Sequence, residues 1–571
     1  MEAFVGDLER SGEKYRPEKY SDFRKVLAHV AAHPNRRYFI FKSIILNNLF
    51  GVDIMEEAVE ICKLRLFLKL AAQVEPDTAR DNLGIELLPD IDFNIRAGNT
   101  LVGYATYEQV KRAVGSKLDF DNALEKISVK AADLQQAFDA FRARQVEGDG
   151  SVPTEDKQEL RKRLKALDDE LNHHLATEYG VKFPSPSGRG TKGEGDSYAK
   201  WLKSHQPFHW FVEFYGIVSS GGFDVIIGNP PYVEYAQVSK EYTLLNKAML
   251  DLGNLHGMVV LRSLSLLAGG GSMSMIVPVA LPSTDRFAAL RTELANLGSV
   301  WISHYDFRPA KLFEGAEQRL TIVIIRRTEQ PAVHSTKFNR WYVDQRPTLF
   351  PCLDYLRWDG QTRLRNVWLK LAGEVSQAAL RKVAAQKLDV ASLVGSSRAS
   401  RLYYKNTGML YYTMFTREPP ACFINGKSQA SSRETTLGLK NEGERRALHC
   451  ALNSSLFFAL YQIHSNCRDL NPSDIQCFRF PQSIIGDQQL GELSNRLHES
   501  QQVNSEFRIR NQKLTGEVRI QTFRLAANKT IIDEIDRTLA LHYGFTEEEL
   551  DFTINYDIKY RMGREAEGEE E

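Results

Sequence analysis

Residues 223–232 read Phe-Asp-Val-Ile-Ile-Gly-Asn-Pro-Pro-Tyr, an apolar stretch followed by an amide, two prolines and an aromatic ring. Proline has no backbone N–H and cannot continue a parallel strand, so the chain must leave the sheet after residue 228. That position is the carboxyl end of the strand, where open α/β sheets bind their ligands. The residues predicted at this end are Asn229, Pro230, Pro231 and Tyr232.

These residue types suit the activation of a nucleobase amine, which is a poor nucleophile because its lone pair is delocalised into the ring. Hydrogen bonds from its two N–H groups to fixed acceptors favour the pyramidal form that can attack. The Asn229 Oδ1 and the Pro230 carbonyl can be those acceptors, and Tyr232 offers a ring on which an extruded base can stack. Alternatively, Asn-Pro-Pro only caps a strand and turns the chain, but the combination of strand and turn favours the functional interpretation.

Residues 229–232 resemble the catalytic motif of the gamma-class adenine-N6 DNA methyltransferases, and the resemblance covers nearly the whole chain. Within that class, the sequence is similar to the methylase portion of type IIG restriction-modification enzymes and to phage-defence methylases. The resemblance implies methyl transfer from S-adenosylmethionine to the N6 amine of an extruded adenine at a specific site in double-stranded DNA. It also implies roles for Asn229 and Pro230 as amine acceptors and for Tyr232 as the base stacker.

Residues 48–54, Asn-Leu-Phe-Gly-Val-Asp-Ile, resemble the second cofactor motif of this family. An acid at the end of a strand can accept both ribose hydroxyls of a bound nucleoside, which is the role implied for Asp53, while Ile54 can pack on the adenine ring. Asp53 can also cap the helix predicted after it, because Glu56 and Glu57 favour a helix amino terminus. The two roles are compatible.

Two more positions acquire roles from the resemblance. Residues 93–101 resemble the third motif, where Asn99 would hydrogen-bond the cofactor adenine at a position that is acidic in many relatives. Phe313 precedes an apolar strand predicted over residues 320–325 and resembles the aromatic residue that flanks the extruded base opposite Tyr232. An aromatic residue before a strand is, however, more often part of the core.

The glycine-rich loop with which the family binds the methionine part of its cofactor has no counterpart before Asp53. We therefore expect an N-terminally incomplete Rossmann-like methyltransferase sheet, as though this segment were truncated or supplied by an N-terminal polypeptide. In the fold that the chain resembles, the absent strand lies between the strand ending at Asp53 and the strand ending at Gly228. The centre of the sheet would then be missing.

The rest of the α/β pattern predicts four regions. Residues 1–104 form the first part of the methyltransferase domain, in which residues 44–46 lead into a strand ending at Asp53. Residues 105–205 form a helical insertion, including a helix pair, and a linker. Residues 206–330 complete the methyltransferase domain, and residues 331–571 form an α+β target-recognition domain.

The predicted recognition domain contains a basic and aromatic stretch, residues 396–433, with six Lys or Arg residues and one acid. Because the whole chain is neutral, with 73 basic and 73 acidic residues, this local excess indicates phosphate contacts. The candidate contacts are Arg398, Arg401 and Lys405. A solvated basic face over an aromatic core is the alternative, and a strand is predicted nearby over residues 475–480.

Other features limit the function classes. The six cysteines form no CxxC pair, which argues against a disulfide framework or zinc ribbon and for a reducing cytoplasm, and no metal site is expected. The uncharged residues 263–284 read as helix, turn and buried strand, so no membrane association is expected. Two alternatives remain: a methylase of cytosine-N4, RNA or protein glutamine, and a truncated, catalytically inactive DNA-binding subunit.

Overall fold

The computed structural model describes residues 21–79, 83, 86–114, 120–147, 153–182, 192–360, 362–395, 400–406, 414–431, 434–512 and 516–561. The chain divides into two compact units. The first comprises residues 1–225 and 233–269, and the second comprises residues 226–232 and 270–571. The chain passes between the units three times, twice inside strands, at residues 225–226 and 269–270, and once at residues 232–233.

The first unit surrounds a short parallel strand pair with helices. Strands β1, Gly51–Asp53, and β2, Ile95–Ala97, pair so that Asp53 lies opposite Ala97. The helices are α1 Ser21–Ala32, α2 Arg36–Asn48, α3 Glu56–Ala71, α4 Tyr107–Val114, α5 Phe120–Glu147, α6 Thr154–Glu178, α7 Lys192–His205, α8 Trp210–Glu213, α9 Tyr215–Ser219, α10 Tyr235–Val238, α11 Lys247–Leu252 and α12 Leu255–Leu264.

Helices α5 and α6 pack on each other, which confirms the helix pair predicted between residues 105 and 180. The prediction for residues 44–46 was wrong, because they lie in the last turns of α2 rather than leading into a strand. Ile45 and Leu46 are buried there against Tyr38, Val59 and other apolar side chains. A short apolar run fits a buried helix face as well as a strand, and packing decides between them.

A mixed six-stranded sheet has the strand order β3-β4-β6-β5-β7-β8. Strand β6 is antiparallel to both β4 and β5, whereas β5 and β7 are parallel. The strands are β3 Phe223–Gly228, β4 Leu267–Pro278, β5 Gly298–Tyr305, β6 Leu320–Arg327, β7 Ala332–Asn339 and β8 Leu356–Arg357. This sheet confirms the mixed α/β class and the strands predicted over residues 223–228 and 320–325.

The remainder of the second unit has smaller sheets and a large helical core. Its sheets are β10-β13, β9-β14 and β12-β11-β16-β15. Their strands are β9 Leu388–Asp389, β10 Arg401–Lys405, β11 Cys422–Ile424, β12 Lys427–Ser428, β13 Glu434–Gly438, β14 Arg479–Phe480, β15 Ser505–Gln512 and β16 Gly516–Phe523. The helices are α13 Ala280–Ser283, α14 Ala288–Leu297, α15 Arg346–Leu349, α16 Glu374–Ala384, α17 Val390–Leu393, α18 Glu442–Asn453, α19 Ser455–His464, α20 Pro472–Gln476, α21 Gln488–Val503, α22 Lys529–Tyr543, α23 Glu547–Asn555 and α24 Ile558–Arg561.

Two expectations for uncharged or apolar stretches have different outcomes. Residues 263–284 contain the end of α12 and the strand β4, as predicted, and none of the helices in the described part of the chain is long and apolar enough to cross a membrane. The strand expected over residues 475–480 is limited to β14, because residues 472–476 form a helix with proline at its first turn.

The loop after β2 is held by two close contacts. Arg262 of α12 is buried and donates from Nη2 to the carbonyl oxygens of Leu101 (3.1 Å) and Gly103 (3.2 Å). Gly103 has a φ of +114°, and a Cβ at this position would collide with the carbonyl of Phe208. The loop therefore needs glycine both for its backbone conformation and for this close approach.

We expect Gly103→Ala to lower the free energy of unfolding by about 2–4 kcal/mol, because it adds a backbone clash to an unfavourable φ. Gly180→Ala is the matched control, since Gly180 also has a positive φ (+71°) but a Cβ added to it would meet no atom within 4 Å. The control should cost only about 1–2 kcal/mol. Urea denaturation measures both values, and equal losses would contradict the close packing at Gly103.

Candidate active site

Strand β3 ends at Gly228, and the four predicted site residues follow it as a turn. A Cβ on Gly228 would lie 2.7 Å from the Sδ of Met275, so the strand packs closely on β4 at this point. Asn229 is exposed and Pro230 is buried. The turn therefore presents an amide to solvent while its backbone is held by packing.

The Tyr232 hydroxyl connects the turn to β4. It lies 2.6 Å from the Asn229 Oδ1 and 3.2 Å from the Ile276 carbonyl oxygen, and it can donate its proton to either. Burial raises the pKa of this hydroxyl to about 12, so it is protonated and a donor at neutral pH. The sequence analysis did not identify Ile276, because its place beside Tyr232 depends on the pairing of β3 with β4.

The structure brings Phe313 and Tyr232 to the same apolar cluster. Both side chains are partly buried and pack against it. The buried members of this cluster are Tyr305, Ala310, Leu312, Ala316, Leu320, Trp341 and Leu349. Both rings therefore border one apolar cluster, and the role of Phe313 opposite Tyr232 stays a prediction.

Asp53, Ile54 and Asn99 lie together at one end of the first unit's strand pair. Because β1 and β2 are parallel, their carboxyl ends meet at the same edge, and the Gly98 N–H donates to the Asp53 carbonyl oxygen at 2.8 Å. Asp53 is exposed, and Ile54 is also accessible. These residues belong to the first unit, whereas Asn229–Tyr232 belong to the second.

The Asp53 carboxylate already has one local partner, because its Oδ1 accepts a hydrogen bond from the Met55 N–H at 2.8 Å. Met55 is the N-cap residue of α3, so this bond closes a local turn just before the helix and does not reach an N–H of its first turn. The capping role expected for Asp53 is therefore not observed, whereas Glu56 and Glu57 do lie in the first turn of α3. The exposed carboxylate can accept further hydrogen bonds from a ligand's hydroxyl groups.

Asn99 is buried, with only 3% of its surface exposed. Its Oδ1 accepts a hydrogen bond from the Leu101 N–H at 3.1 Å. Its Nδ2 makes no hydrogen bond of normal geometry with any residue that the structure describes, although Asn99 is close enough to lower the pKa of Tyr242 against the larger effect of burial. A buried donor without a partner costs free energy, and an acceptor atom of a heterocyclic ligand would satisfy it.

Two of the three predicted phosphate contacts lie on one strand of the second unit. Arg401 and Lys405 lie on β10 and share a face with Tyr403, while Leu402 and Tyr404 face the core. Arg398 lies outside the described residues. Tyr404 and Phe415 are buried, so these two aromatic residues form core and are not available for stacking with a ligand.

A comparison with protein families completes the description of the site. The family described as "Eco57I restriction-modification methylase" matches residues 47–313, a range that contains Asp53, Asn99, Asn229–Tyr232 and Phe313. This part of the chain is therefore similar to restriction-modification methylases. Along the sequence, the match begins just before β1 and ends between β5 and β6.

The chain also has a curated relative. A protein of Methanocaldococcus jannaschii named "Putative type II restriction enzyme and methyltransferase" is 28% identical over 313 residues. The alignment covers 49% of this chain and 26% of the relative, so the chain matches about a quarter of that protein's length.

Solved structures of restriction-modification enzymes show weaker similarity. The type IIL enzyme MmeI in complex with DNA is 11% identical, with coverage of 97% of this chain and 78% of that chain and a TM-score of 0.39. A nuclease-deletion mutant of the type ISP enzyme LlaGI with a DNA substrate mimic is also 11% identical, with coverage of 83% and 52% and a TM-score of 0.30.

Two substitutions of Asp53 separate its local hydrogen bond from any ligand role. Asp53→Ala should lower the free energy of unfolding by about 1 kcal/mol, because the Met55 N–H loses its acceptor. Asp53→Asn is the matched control and should cost much less, since its amide oxygen can still accept that hydrogen bond. Urea denaturation measures both. Equal destabilisation by the two variants would contradict a stabilising bond through Oδ1.

Proposed function

We propose that this chain is the methylase component of a restriction-modification or phage-defence system. It transfers a methyl group from S-adenosylmethionine to the N6 amine of an extruded adenine in DNA. The observation that supports this most strongly is the Asn229–Tyr232 turn, in which an exposed amide follows a strand end within the region similar to restriction-modification methylases. The acceptor base and the methyl donor are part of the proposal.

The geometry of Tyr232 supports a simple exchange of hydrogen bonds when a base binds. The Tyr232 hydroxyl has one proton and two acceptors within reach, the Asn229 Oδ1 and the Ile276 carbonyl. Donation to Ile276 leaves the Asn229 Oδ1 available for one amine proton, and the Pro230 carbonyl can accept the other. Binding a base therefore need not leave the buried Tyr232 hydroxyl without a partner.

In the proposed reaction, the amine lone pair forms the new N–C bond as the C–S bond of the sulfonium breaks, and the amine loses one proton to water. S-adenosylmethionine supplies the methyl group in an activated form. Tyr232 and Phe313 would hold the base between their rings, while Asn229 and Pro230 fix the direction of its lone pair. Pro231 limits the conformations of this turn.

The first unit offers residues suited to the nucleoside half of the donor. Asp53 would accept the ribose hydroxyls, and Ile54 would pack on the adenine ring. The Asn99 Nδ2, which has no hydrogen bond of normal geometry to any described residue, would donate to a ring nitrogen. In this proposal, Arg401 and Lys405, with Arg398, contact phosphates of double-stranded DNA.

An additional segment would complete this methylase. Among the described strands, β3 has β4 as its one neighbour, and its apolar residues Val225 and Ile227 are 62% and 80% exposed. Strands of α/β sheets are normally covered on both faces, and an open edge favours pairing with another strand. We infer that a segment carrying a glycine-rich loop adds a strand to β3, from the same or another polypeptide.

Asn229→Ala should reduce methyl transfer at least about 100-fold in the completed enzyme, because the amine loses an acceptor that acts in the transition state. DNA binding should stay nearly unchanged. Gln237→Ala, which removes another exposed amide from the same region of sequence, is the control and should retain activity.

Incorporation of labelled methyl groups and nucleoside analysis of the product measure this effect. N6-methyladenine is the expected product, whereas N4-methylcytosine, methylated RNA or methylated protein would identify a different acceptor. Wild-type turnover by Asn229→Ala would refute the catalytic role of Asn229.

Residues 1–571 alone should show no saturable binding of S-adenosylmethionine by calorimetry, because the methionine end of the ligand would lack its loop. Co-expression or fusion with a segment that carries the glycine-rich loop should restore binding. Asp53→Ala in that complex should then weaken it. Stoichiometric micromolar binding by residues 1–571 would instead show that other residues replace the loop.

A further inference from the structure

Strands β15 and β16 form a regular two-stranded ribbon in the second unit. They pair antiparallel from Ser505 opposite Phe523 to Gln512 opposite Gly516. Strand β11 pairs with β16 only from Val518 to Ile520, and β15 is the terminal strand of this sheet. Asn425, just after β11, also exchanges two hydrogen bonds with Glu517, so β16 is covered by β11 on one side while β15 has an open edge among the described strands.

Two arginines on the terminal strand are available for binding. Arg508 and Arg510 are two residues apart, so they lie on the same face at a spacing of about 7 Å. Both are exposed, and neither makes a hydrogen bond or ion pair with another residue that the structure describes. The nearby carboxylate of Glu506 is bound by Arg524 at 3.0 Å.

The opposite face has a fixed aromatic and cationic pair. The Arg519 guanidinium lies 4.3 Å from the centre of the Phe507 ring, and the Phe507 and Phe423 rings are 6.0 Å apart. Ile509, beside Arg519 on this face, is 60% exposed. The ribbon thus has accessible apolar and cationic groups together, and residues 505–524 contain five basic and two acidic residues.

We propose that the ribbon of residues 505–523 contacts the sugar-phosphate backbone of double-stranded DNA through Arg508 and Arg510. This inference rests on the proposed function and adds an element that the sequence analysis did not identify. The major groove admits a two-stranded β-ribbon, and guanidinium groups match phosphate oxygens in charge and geometry. The excess of positive charge favours DNA over an apolar protein surface.

The test compares two double variants of the full 571-residue chain. Arg508→Gln with Arg510→Gln removes two free charges from the ribbon. Arg381→Gln with Arg496→Gln is the control: it removes two similarly exposed charges that are already bound by Asp359 and Glu534. Affinity for a fluorescent duplex is measured by anisotropy between about 50 and 200 mM salt.

We expect the ribbon variant to flatten the plot of log affinity against log salt by about 1.8, or about 0.9 for each lost phosphate contact. The control and wild-type slopes should agree. Arg508→Lys with Arg510→Lys should keep most of the slope because it keeps the charge, and this variant separates loss of contact from a disturbed fold.

An unchanged slope for the glutamine variant, with normal wild-type binding, would overturn the ribbon assignment alone. A loss of affinity without a change of slope would do the same, because it would indicate a contact that is not ionic. A wild-type chain that binds no DNA would overturn this assignment and the proposed function together.

Discussion

Two consecutive prolines after β3 prevent the strand from continuing, and the geometry of the Asn229–Tyr232 turn depends on this constraint. Pro230 is buried, so the chain leaves the sheet at a fixed point and Asn229 stays exposed at the strand end. The Tyr232 hydroxyl then joins the turn to β4 through Ile276. The prolines restrict the backbone of the turn, and the Tyr232 hydroxyl can donate its one proton to either the Asn229 Oδ1 or the Ile276 carbonyl. The Asn229 Oδ1 is therefore held in position and can still accept a hydrogen bond from another donor.

In the first unit, the candidate ligand-binding residues are positioned by the parallel pairing of β1 with β2. Parallel strands end at the same edge, and this pairing brings Asp53 and Asn99 together although they are far apart in sequence. Arg262 holds the following loop by donating to two of its carbonyl groups. Asn99 therefore lies in a firmly held segment, where a ligand would not need to order its side chain.

Local patterns predicted the elements with strong signals. The apolar run before Asn229 and the β-branched run at Leu320–Arg327 are strands, as their β-branched side chains predict. Residues 44–46 were wrongly predicted to lead into a strand, because three consecutive apolar residues fit the periodicity of a helix as well as that of a strand. The Tyr232 contact with Ile276 depends on the register between two strands, which the sequence does not encode locally. Alternation along Arg401–Lys405, by contrast, already separates the core residues Leu402 and Tyr404 from the exposed face.

Strands β15 and β3 are each the terminal strand of a sheet, and they differ in the charge of the side chains that they carry. Strand β15 carries Arg508 and Arg510, and charged side chains protect an open edge from pairing with other chains. Strand β3 has one charged residue, Asp224 near its start, and Val225 and Ile227 are exposed on it. An apolar strand left in water is unfavourable and prone to association, whereas a charged one is soluble and suited to a polar partner. Among the described strands, both lie at an open edge of a sheet. The apolar side chains of β3 therefore favour pairing with another strand, whereas the arginines of β15 favour a polyanion.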